Sequence, residues 1–255
     1  MRNSVALVTG AGAGIGRTTA ERLAREGMTV VVADVDEQGA AETVRGIEDS
    51  GGSTVFVRAD MGVDSDVREM VDFAVRRFGG LDVLVNNAGG APGPHYPDAG
   101  PEHWGRMLDI NLRGVMLATQ AAIRNMRGRG GVIVNVSSMA GAVFEPYPDA
   151  PEYAVAKAGV MRLTTALGHL GEEAGIRVNC VCPGYVETPA VRRTLEEMPV
   201  EKQKSLSFPP PDVLIQPDEI ADIVLEFIGD GTLAGRVMIW PDGEQRRLTP
   251  VDASH

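Results

Sequence analysis

The sequence predicts an α/β protein with a doubly wound, mainly seven-stranded parallel sheet and helices on both faces. Seven short segments rich in Val and Ile alternate with longer segments of helical periodicity. Most of the short segments are continuously apolar, as strands are when helices cover both faces of a sheet. This alternation predicts right-handed strand–helix–strand units. The predicted strands are residues 5–9, 30–34, 55–58, 83–86, 132–136, 177–181 and 237–240.

The helix after the third strand has the clearest pattern. We expect Asp64 or Ser65 to cap its start, and Gly79 with Gly80 to end it. Its apolar residues keep a helical spacing throughout, at Val67, Met70, Val71, Ala74, Val75 and Phe78.

The chain is expected to form one domain, residues 1–255. At this length two small domains are an alternative, but no repeat or low-complexity linker divides the sequence. Residues 189–216 combine several prolines with mixed charge and are too long for an ordinary connection. They predict a substrate lid or a partly helical excursion.

The composition argues against several classes of partner. Hydrophobic residues make up 44% and charged residues 23%, which is ordinary for a globular protein with a core. Acidic residues outnumber basic ones by 35 to 24, so the formal net charge is −11. Such a surface repels phosphate backbones and anionic lipids, which makes nucleic acid and membranes poor partners.

The remaining features of the sequence concern location, cysteines and metal binding. The chain enters a strand pattern at Val5 without a leader pattern or a bilayer-spanning apolar run, so we expect a cytoplasmic protein. Cys180 and Cys182 fall on one face of an apolar strand and are interpreted as core residues. The four histidines lack the spacing of metal ligands, so no metal site is expected.

A glycine-rich turn joins the first strand to the first helix. Glycines let the backbone approach a pyrophosphate, and a helix N-terminus supplies free N–H groups with partial positive charge. The spacing differs from the common G-x-G-x-x-G, and such glycines also occur as simple turn residues. Their place between an apolar strand and a helix favours a dinucleotide site. The turn consists of Gly10, Ala11, Gly12, Ala13, Gly14, Ile15 and Gly16.

The second strand ends at Asp34, about 20 residues beyond the glycines. A carboxylate there accepts hydrogen bonds from the adenosine ribose, whereas a 2′-phosphate would meet a like charge. No basic residue stands at position 13 or 35 to offset that charge. The pattern favours NAD over NADP, with the alternative that Asp34 caps the next helix.

Two further strand ends complete the predicted coenzyme site. The third strand is followed by Asp60 and Met61, placed to hold the adenine edge by a carboxylate and a backbone N–H. The fourth is followed by Asn87, Ala88 and Gly89, which are small enough for the chain to pass beneath a ribose. For this last cluster, hydrogen bonding between strand ends alone is an equal alternative.

Tyr153 and Lys157 lie four positions apart at the start of a predicted helix and share one of its faces. Such a pair occurs often by chance, so its significance depends on which other motifs the chain contains. In chain order, the motifs are the glycine turn, residues 86–89, Ser138, Tyr153 with Lys157, and Pro183 with Gly184. With these motifs, residues 5–243 resemble the short-chain dehydrogenase/reductase family, whose sheet is the Rossmann fold.

The resemblance implies a nicotinamide-dependent dehydrogenase or reductase with Tyr153 as general acid and base. A phenol ionises near pH 10, so the Lys157 ammonium and the oxidised nicotinamide would have to lower its pKa. A decrease of about 3 pKa units requires about 4 kcal/mol of stabilisation of the phenolate relative to the phenol. Lys157 is also implied to hold the nicotinamide ribose. Asn111 is implied to hold a water between Lys157 and solvent; an Asn that only bends or binds its helix is the alternative.

Ser138, the second of two serines that end the fifth strand, is implied to donate a hydrogen bond to the substrate oxygen. Ser137 would support it structurally, and the alternative is a serine that only caps the strand. Between Ser138 and Tyr153 lie 153 − 138 = 15 positions, slightly more than the family's habit, with the extra residues in 141–152.

The turn after the sixth strand completes the implied set. Pro183 and Gly184 lie at a strand's carboxyl end, where open α/β sheets bind ligands. The backbone of Val186 and the hydroxyl of Thr188 are implied to hold the nicotinamide carboxamide.

The substrate walls are expected from residues 90–97, 141–152, Tyr185 and 189–216. Their apolar members predict a largely apolar secondary alcohol or ketone as the small-molecule partner. These members are Phe144, Tyr147, Tyr185, Leu195, Leu206 and Phe208.

Assembly and two rival functions follow from the same residues. Small side chains on helices over 104–126 and 153–170 allow close packing, so we expect a homotetramer. One rival is an NADP-linked carbonyl reductase. The other is a catalytically silent nucleotide-sensing or scaffold protein, which would need no joint set of Asn111, Ser138, Tyr153 and Lys157.

Overall fold

The chain folds around one sheet, and the computed structural model describes residues 4–144, 147–206, 210–241 and 245–250. The strand order is β3-β2-β1-β4-β5-β6-β7-β8, with every pair parallel except the antiparallel β7 and β8. The strands are β1 (Val5–Thr9), β2 (Thr29–Asp34), β3 (Ser53–Arg58), β4 (Val83–Asn86), β5 (Gly131–Val136), β6 (Ile176–Pro183), β7 (Val237–Trp240) and β8 (Arg247–Thr249). The predicted fold class is confirmed, and β8 is an addition to it.

Helices cover the sheet on both sides. They are α1 (Gly14–Arg25), α2 (Glu37–Asp49), α3 (Asp64–Phe78), α4 (Pro101–Leu108), α5 (Gly114–Met126), α6 (Met139–Ala142), α7 (Pro151–Ala166), α8 (Leu170–Ala174), α9 (Pro189–Glu197), α10 (Val200–Ser205) and α11 (Pro217–Gly229). A π-helical turn, Asp109–Arg113, joins α4 to α5 without a break.

Successive residues of one strand enter different cores, which explains the continuously apolar strands. Ala6 and Val8 of β1 pack in the cluster that includes α1 and α11, whereas Leu7 packs in the cluster of α3 and α5. Cys180 and Cys182 are fully buried in a third cluster, with α7. Their interpretation as core residues is therefore confirmed.

The start of α3 corrects a detail of the prediction. Val63 occupies the N-cap position, and neither Asp64 nor Ser65 caps the helix. The Asp64 carboxylate instead forms an ion pair with Arg113 of the π-helical turn. Gly79 ends the helix in the left-handed conformation with φ of 80°, as expected.

The sheet's order reverses between β1 and β4, so their carboxyl ends open onto a common crevice. Beyond β6 the chain forms α9 and α10, and Val186 forms a parallel bridge with Ile215. Within the described ranges, no helix is long and apolar enough to cross a membrane.

Candidate active site

A cleft of about 1640 Å³ lies at the carboxyl ends of the strands. A pocket for one drug-sized ligand has roughly 300–1,000 Å³, so this volume suits a dinucleotide together with a second reactant. Gly12, Gly16 and Asn111 lie behind the cleft wall. The other predicted site residues line it, namely Gly10, Gly14, Ile15, Asp34, Asp60, Met61, Asn87, Ala88, Gly89, Ser138, Tyr153, Lys157, Pro183, Gly184, Val186 and Thr188.

The glycine turn has the geometry that a phosphate group requires. Gly10 and Gly14 have φ of 64° and 52°, in the left-handed region that favours glycine. A Cβ on Gly16 would collide with the carbonyl of Gly10. No side chain caps α1, and its first turn holds no acidic residue. The first N–H groups of α1 are thus left for an anion.

Asp34 is held against this turn. Its Oδ2 accepts a hydrogen bond from the backbone N–H of Gly12 at 2.7 Å, and its Oδ1 accepts one from Asp36 N–H at 2.9 Å. The N-cap of α2 is Asp36, so the alternative role of Asp34 as a helix cap is not observed. Arg17, the nearby cation, is bound to Gly12 O and to Glu42.

Asp60 has a partner that the sequence did not reveal. The guanidinium of Arg106 donates to both carboxylate oxygens, at 2.7 and 2.6 Å, and Gly62 N–H donates at 2.9 Å. Burial acts to raise the pKa of Asp60, but these hydrogen bonds and the charge of Arg106 outweigh it and lower that pKa. Arg106 also lines the cleft, so any adenine contact at Asp60 is shared with this arginine.

The cluster after β4 carries structural hydrogen bonds. The Asn87 side chain donates to the carbonyls of Thr9 and Gly10, at 2.9 and 3.1 Å. The backbone N–H groups of Asn87 and Ala88 both donate to the Thr9 hydroxyl, at 3.0 Å. Of the two roles considered for this cluster, the structural one is present, and Ala88 and Gly89 face the cleft as well.

Buried polar contacts fix helix α7 against the sheet. Asn135 of β5 accepts a hydrogen bond from Asn86 and donates one to Thr164, each at 2.9 Å. The Ser137 hydroxyl donates to the carbonyl of Lys157 at 2.8 Å. Ser137 therefore supports the site structurally, and the first turns of α7 are held at the end of β5.

Tyr153, Ser138 and Lys157 come together at this end of the cleft. The Ser138 hydroxyl lies close enough to the Tyr153 phenol to act on its pKa, and it also caps α6 by accepting from Ala140 N–H at 3.2 Å. The Lys157 ammonium lies 5.5 Å from the centre of the Tyr153 ring. The longer segment between Ser138 and Tyr153 does not separate the two side chains.

Burial acts on both ionisable groups of this trio. It raises the pKa of Tyr153 to about 12, although the Ser138 hydroxyl acts in the opposite direction. It lowers the pKa of Lys157 to about 8, since an ammonium group is poorly solvated there. The protein's own groups thus leave the phenol protonated at neutral pH, contrary in direction to the lowering expected with nicotinamide bound.

Asn111 sits behind the trio, fully buried in the π-helical turn. Its amide donates to Gly90 O at 2.9 Å and to Met107 O at 3.0 Å, while its Oδ1 accepts from Gly90 N–H at 3.1 Å. The side chain thus binds its own helix and the loop after β4. A Cβ on Gly89 would lie 2.6 Å from Asn111 Oδ1 and 3.1 Å from Lys157 Nζ.

The turn after β6 faces the glycine turn across the cleft. The Thr188 hydroxyl accepts a hydrogen bond from Val191 N–H at 3.2 Å and so caps α9. A Cβ on Gly14 would lie 2.9 Å from the Thr188 methyl group. The cleft is therefore narrow at this point.

The predicted substrate walls are correct in part. Phe144 is fully exposed and does not line the cleft, because its loop places the neighbouring Val143 there instead. Phe208 lies outside the described residues. The predicted wall residues that do line the cleft are Tyr147, Tyr185, Leu195 and Leu206.

Further residues of the predicted segments 90–97 and 189–216, and one residue outside the predicted walls, also line the cleft. Met139 and Met198 add apolar surface, and His95 lines the cleft with its imidazole bound to Glu152. Long-range pairs of this kind leave no local spacing signal in a sequence. Among the described residues, no group of three His, Cys, Asp or Glu side chains is placed to hold a metal ion.

Comparisons with known proteins agree with this geometry. The family model described as short chain dehydrogenase matches residues 4–199. A cis-4-hydroxycyclohexanecarboxylate dehydrogenase from Sinomonas cyclohexanicum is 39% identical over 229 residues, or 89% of each chain. A 3beta-hydroxysteroid dehydrogenase from Eggerthella lenta is 40% identical over 192 residues, or 74% of this chain and 73% of that one.

A solved structure extends the likeness. A variant of actinorhodin polyketide ketoreductase with NADPH has a TM-score of 0.84 and 32% identity, over 94% of this chain and 97% of that one. The chain therefore belongs to the short-chain dehydrogenase/reductase family, as a nicotinamide-dependent oxidoreductase that acts on CH–OH groups.

Proposed function

We propose that the chain is an NAD-dependent dehydrogenase of alicyclic secondary alcohols, and in reverse a reductase of the matching ketones. The observation that carries the proposal is the joint position of Tyr153, Ser138 and Lys157 at one end of a cleft whose other end is the glycine turn. A binding protein without catalysis has no need of this trio.

Each residue of the trio has one role in this proposal. Ser138 donates a hydrogen bond to the substrate oxygen, and Tyr153 takes the hydroxyl proton of the alcohol on its Oη. Bound NAD supplies the hydride acceptor. In ketone reduction Tyr153 returns the proton to the substrate oxygen. Holding both groups beside the carbinol removes the cost of bringing them there in the transition state.

The ionisation of Tyr153 decides which direction runs easily. Its pKa of about 12 in the protein alone favours the phenol, the form that donates a proton in reduction. Oxidation needs the phenolate, which is stabilised by the Lys157 ammonium and by the positive charge of oxidised nicotinamide. Since burial brings the pKa of Lys157 to about 8, this ammonium is mostly retained at pH 7.

The preference for NAD rests on Asp34. Its carboxylate faces the cleft between Gly12 and Asp36, where a ribose 2′-phosphate would be repelled. Arg17, which would have to neutralise such a phosphate, is bound to Glu42 at 2.9 Å. The similar polyketide ketoreductase was solved with NADPH, so the proposed choice of NAD for this chain depends on the negative charge of Asp34.

The alicyclic substrate follows from the walls and the relatives. Val143, Met139, Leu195 and Leu206 give the cleft apolar surface. The names of the two curated relatives describe ring-borne hydroxyl groups, one on cyclohexane and one on a steroid. In this proposal the lid predicted within residues 189–216 covers the ring with α9 and α10.

A coenzyme-reduction screen tests the function. Cyclohexanol and larger ring alcohols should reduce NAD, with NADP at least about tenfold less effective in kcat/KM. Turnover confined to sugars or to linear charged acids would refute the alicyclic substrate. Higher kcat/KM with NADP would refute the coenzyme assignment and leave the reaction class intact.

We also propose a homotetramer built on α5 and α7. Met116 of α5 and Val155 of α7 are about half exposed in the single chain, and Ala158 beside them is small and exposed. Apolar side chains left in solvent on two neighbouring helices favour helix packing between copies. Light scattering at micromolar concentration should give the tetramer mass, and a monomer mass would reject this assembly.

A further inference from the structure

A buried carboxylate stands directly before the proposed catalytic tyrosine. The Glu152 side chain is only 5% exposed, and its Oε1 lies 2.7 Å from Nδ1 of His95. Its Oε2 accepts a hydrogen bond from Tyr96 N–H at 3.3 Å. The loop after β4 is thereby fastened to the first turn of α7. Buried carboxylates are uncommon, so this one calls for a function beyond solvation.

The carboxylate fixes the tautomer of His95. Burial acts to raise the pKa of Glu152, but the hydrogen bonds from His95 and Tyr96 outweigh it and lower that pKa, so the group is ionised at neutral pH. An ionised carboxylate only accepts hydrogen bonds, so Nδ1 carries the proton of the neutral imidazole. Nε2 is then a hydrogen-bond acceptor.

The second ring nitrogen of His95, Nε2, is available for a further hydrogen bond. Among the described residues, no hydrogen-bond partner is found for it. A Cβ on Gly93 would lie 3.3 Å from Nε2, and both His95 and Gly93 line the cleft, whereas Glu152 does not. The cleft wall thus presents one oriented ring nitrogen, on the loop that Glu152 fastens to the first turn of α7.

We propose that His95 is a specificity residue, and that its Nε2 accepts a hydrogen bond from a second hydroxyl group of the substrate. This inference rests on the proposed function and narrows it to alicyclic diols and the matching hydroxyketones. One hydroxyl meets Tyr153 and Ser138, and the other meets His95. Glu152 is the positioning residue that orients the imidazole.

The test compares cyclohexane-1,4-diol, cyclohexanol and 4-hydroxycyclohexanecarboxylate as substrates. After correction for its two reacting groups, the better diol isomer should exceed cyclohexanol in kcat/KM by about tenfold, the effect of one good hydrogen bond. A carboxylate preferred over the diol would overturn the proposal, since it would require a donor at Nε2.

Two variants separate recognition from support of the loop. His95→Asn keeps a donor near Nδ1 for Glu152 but has nothing at Nε2, whereas His95→Gln keeps an amide near Nε2. The Asn variant should lose the diol preference, measured as the ratio of kcat/KM for the diol to that for cyclohexanol, and the Gln variant should keep part of that preference. A diol preference that survives in the Asn variant would show a structural role only.

The outcomes also separate this inference from the proposed function. Turnover of cyclohexanol without any diol preference in the unsubstituted protein would refute the role of His95 alone. Turnover of none of the ring alcohols would refute the proposed function itself.

Discussion

The coenzyme end and the substrate end of the cleft are built in different ways. At the coenzyme end, backbone groups of strand ends and glycines set the geometry, as in the 2.7 Å contact between Gly12 N–H and Asp34. At the substrate end, surface segments supply the side chains that line the cleft, such as His95, whose ring is held by Glu152.

This difference shows where each kind of information resides. Close backbone packing tolerates few residue types, so the coenzyme end leaves a dense local motif in the sequence. The substrate walls tolerate many side chains of suitable size, so the sequence shows only an apolar composition there and no fixed motif. In the proposed function, the first end and the trio accordingly determine the chemistry, and the second end determines selectivity.

The largest effect is expected where the two ends meet, at Lys157. Lys157→Met removes the ammonium beside Tyr153 while keeping most of the side-chain volume. Ketone reduction should lose about a thousandfold in kcat/KM for the coenzyme, a parameter that reports on the free enzyme. Circular dichroism would confirm that the variant folds, and retention of a tenth of the activity would contradict the role of this charge.

A pH profile sharpens the same prediction. In the unsubstituted protein, kcat/KM for the coenzyme in reduction should fall as pH rises through about 8, where Lys157 loses its proton. Tyr153, with a pKa of about 12, stays protonated over that range. Lys157→Arg keeps its charge, so its residual activity should show no such fall.

The second largest effect is expected at the coenzyme end, where removing the charge of Asp34 should change the preference between NAD and NADP. Asp34→Ser removes the charge that repels a 2′-phosphate, and the ratio of kcat/KM for NADP to that for NAD should rise by about a hundredfold. Glu37→Gln, a matched control, removes a nearby exposed charge and should change the ratio little. An equal shift in both variants would show a general field effect.

Two glycine substitutions should have smaller effects, of opposite sign, on stability. Gly89→Ala places a methyl group against Asn111 and Lys157, so we expect a loss of about 1–3 kcal/mol in stability and a lower kcat. Gly105→Ala meets nothing within 4 Å in α4 and should stabilise by roughly 0.5–1 kcal/mol. Thermal unfolding and steady-state kinetics measure both. Full activity and stability in Gly89→Ala would refute the close packing there.

The smallest effect is expected at the substrate end. Phe144 is fully exposed, so Phe144→Ser should leave kcat/KM for cyclohexanol within about twofold. Leu195→Ala, which shortens a wall residue, should raise KM severalfold. If Phe144→Ser had the larger effect, the loop around it would have to close over the substrate.

Much of the fold was predictable because strand burial on two faces leaves a direct pattern. Residues 5–9, 83–86 and 237–240 were predicted as strands with the bounds observed for β1, β4 and β7. The strand β8 was missed because three residues at an edge depend on their partner strand, not on an apolar run. The predicted cap of α3 was wrong because the Asp64 carboxylate forms an ion pair with Arg113.

The candidate site was predictable to the extent that its residues form ordered motifs. Tyr153, Lys157 and the glycine turn are local in sequence, and the fold brings them to one cleft. The contact of Arg106 with Asp60 spans 46 positions and has no local signature. The exposure of Phe144 depends on loop geometry, which composition does not encode.

The central claim is that Tyr153 serves the chemistry and not the binding of coenzyme, and Tyr153→Phe tests it most directly. Coenzyme affinity, measured by fluorescence titration with reduced nicotinamide, should stay within about twofold, while kcat for ring alcohols falls by about a thousandfold. Undiminished turnover in a variant that binds coenzyme normally would contradict the account.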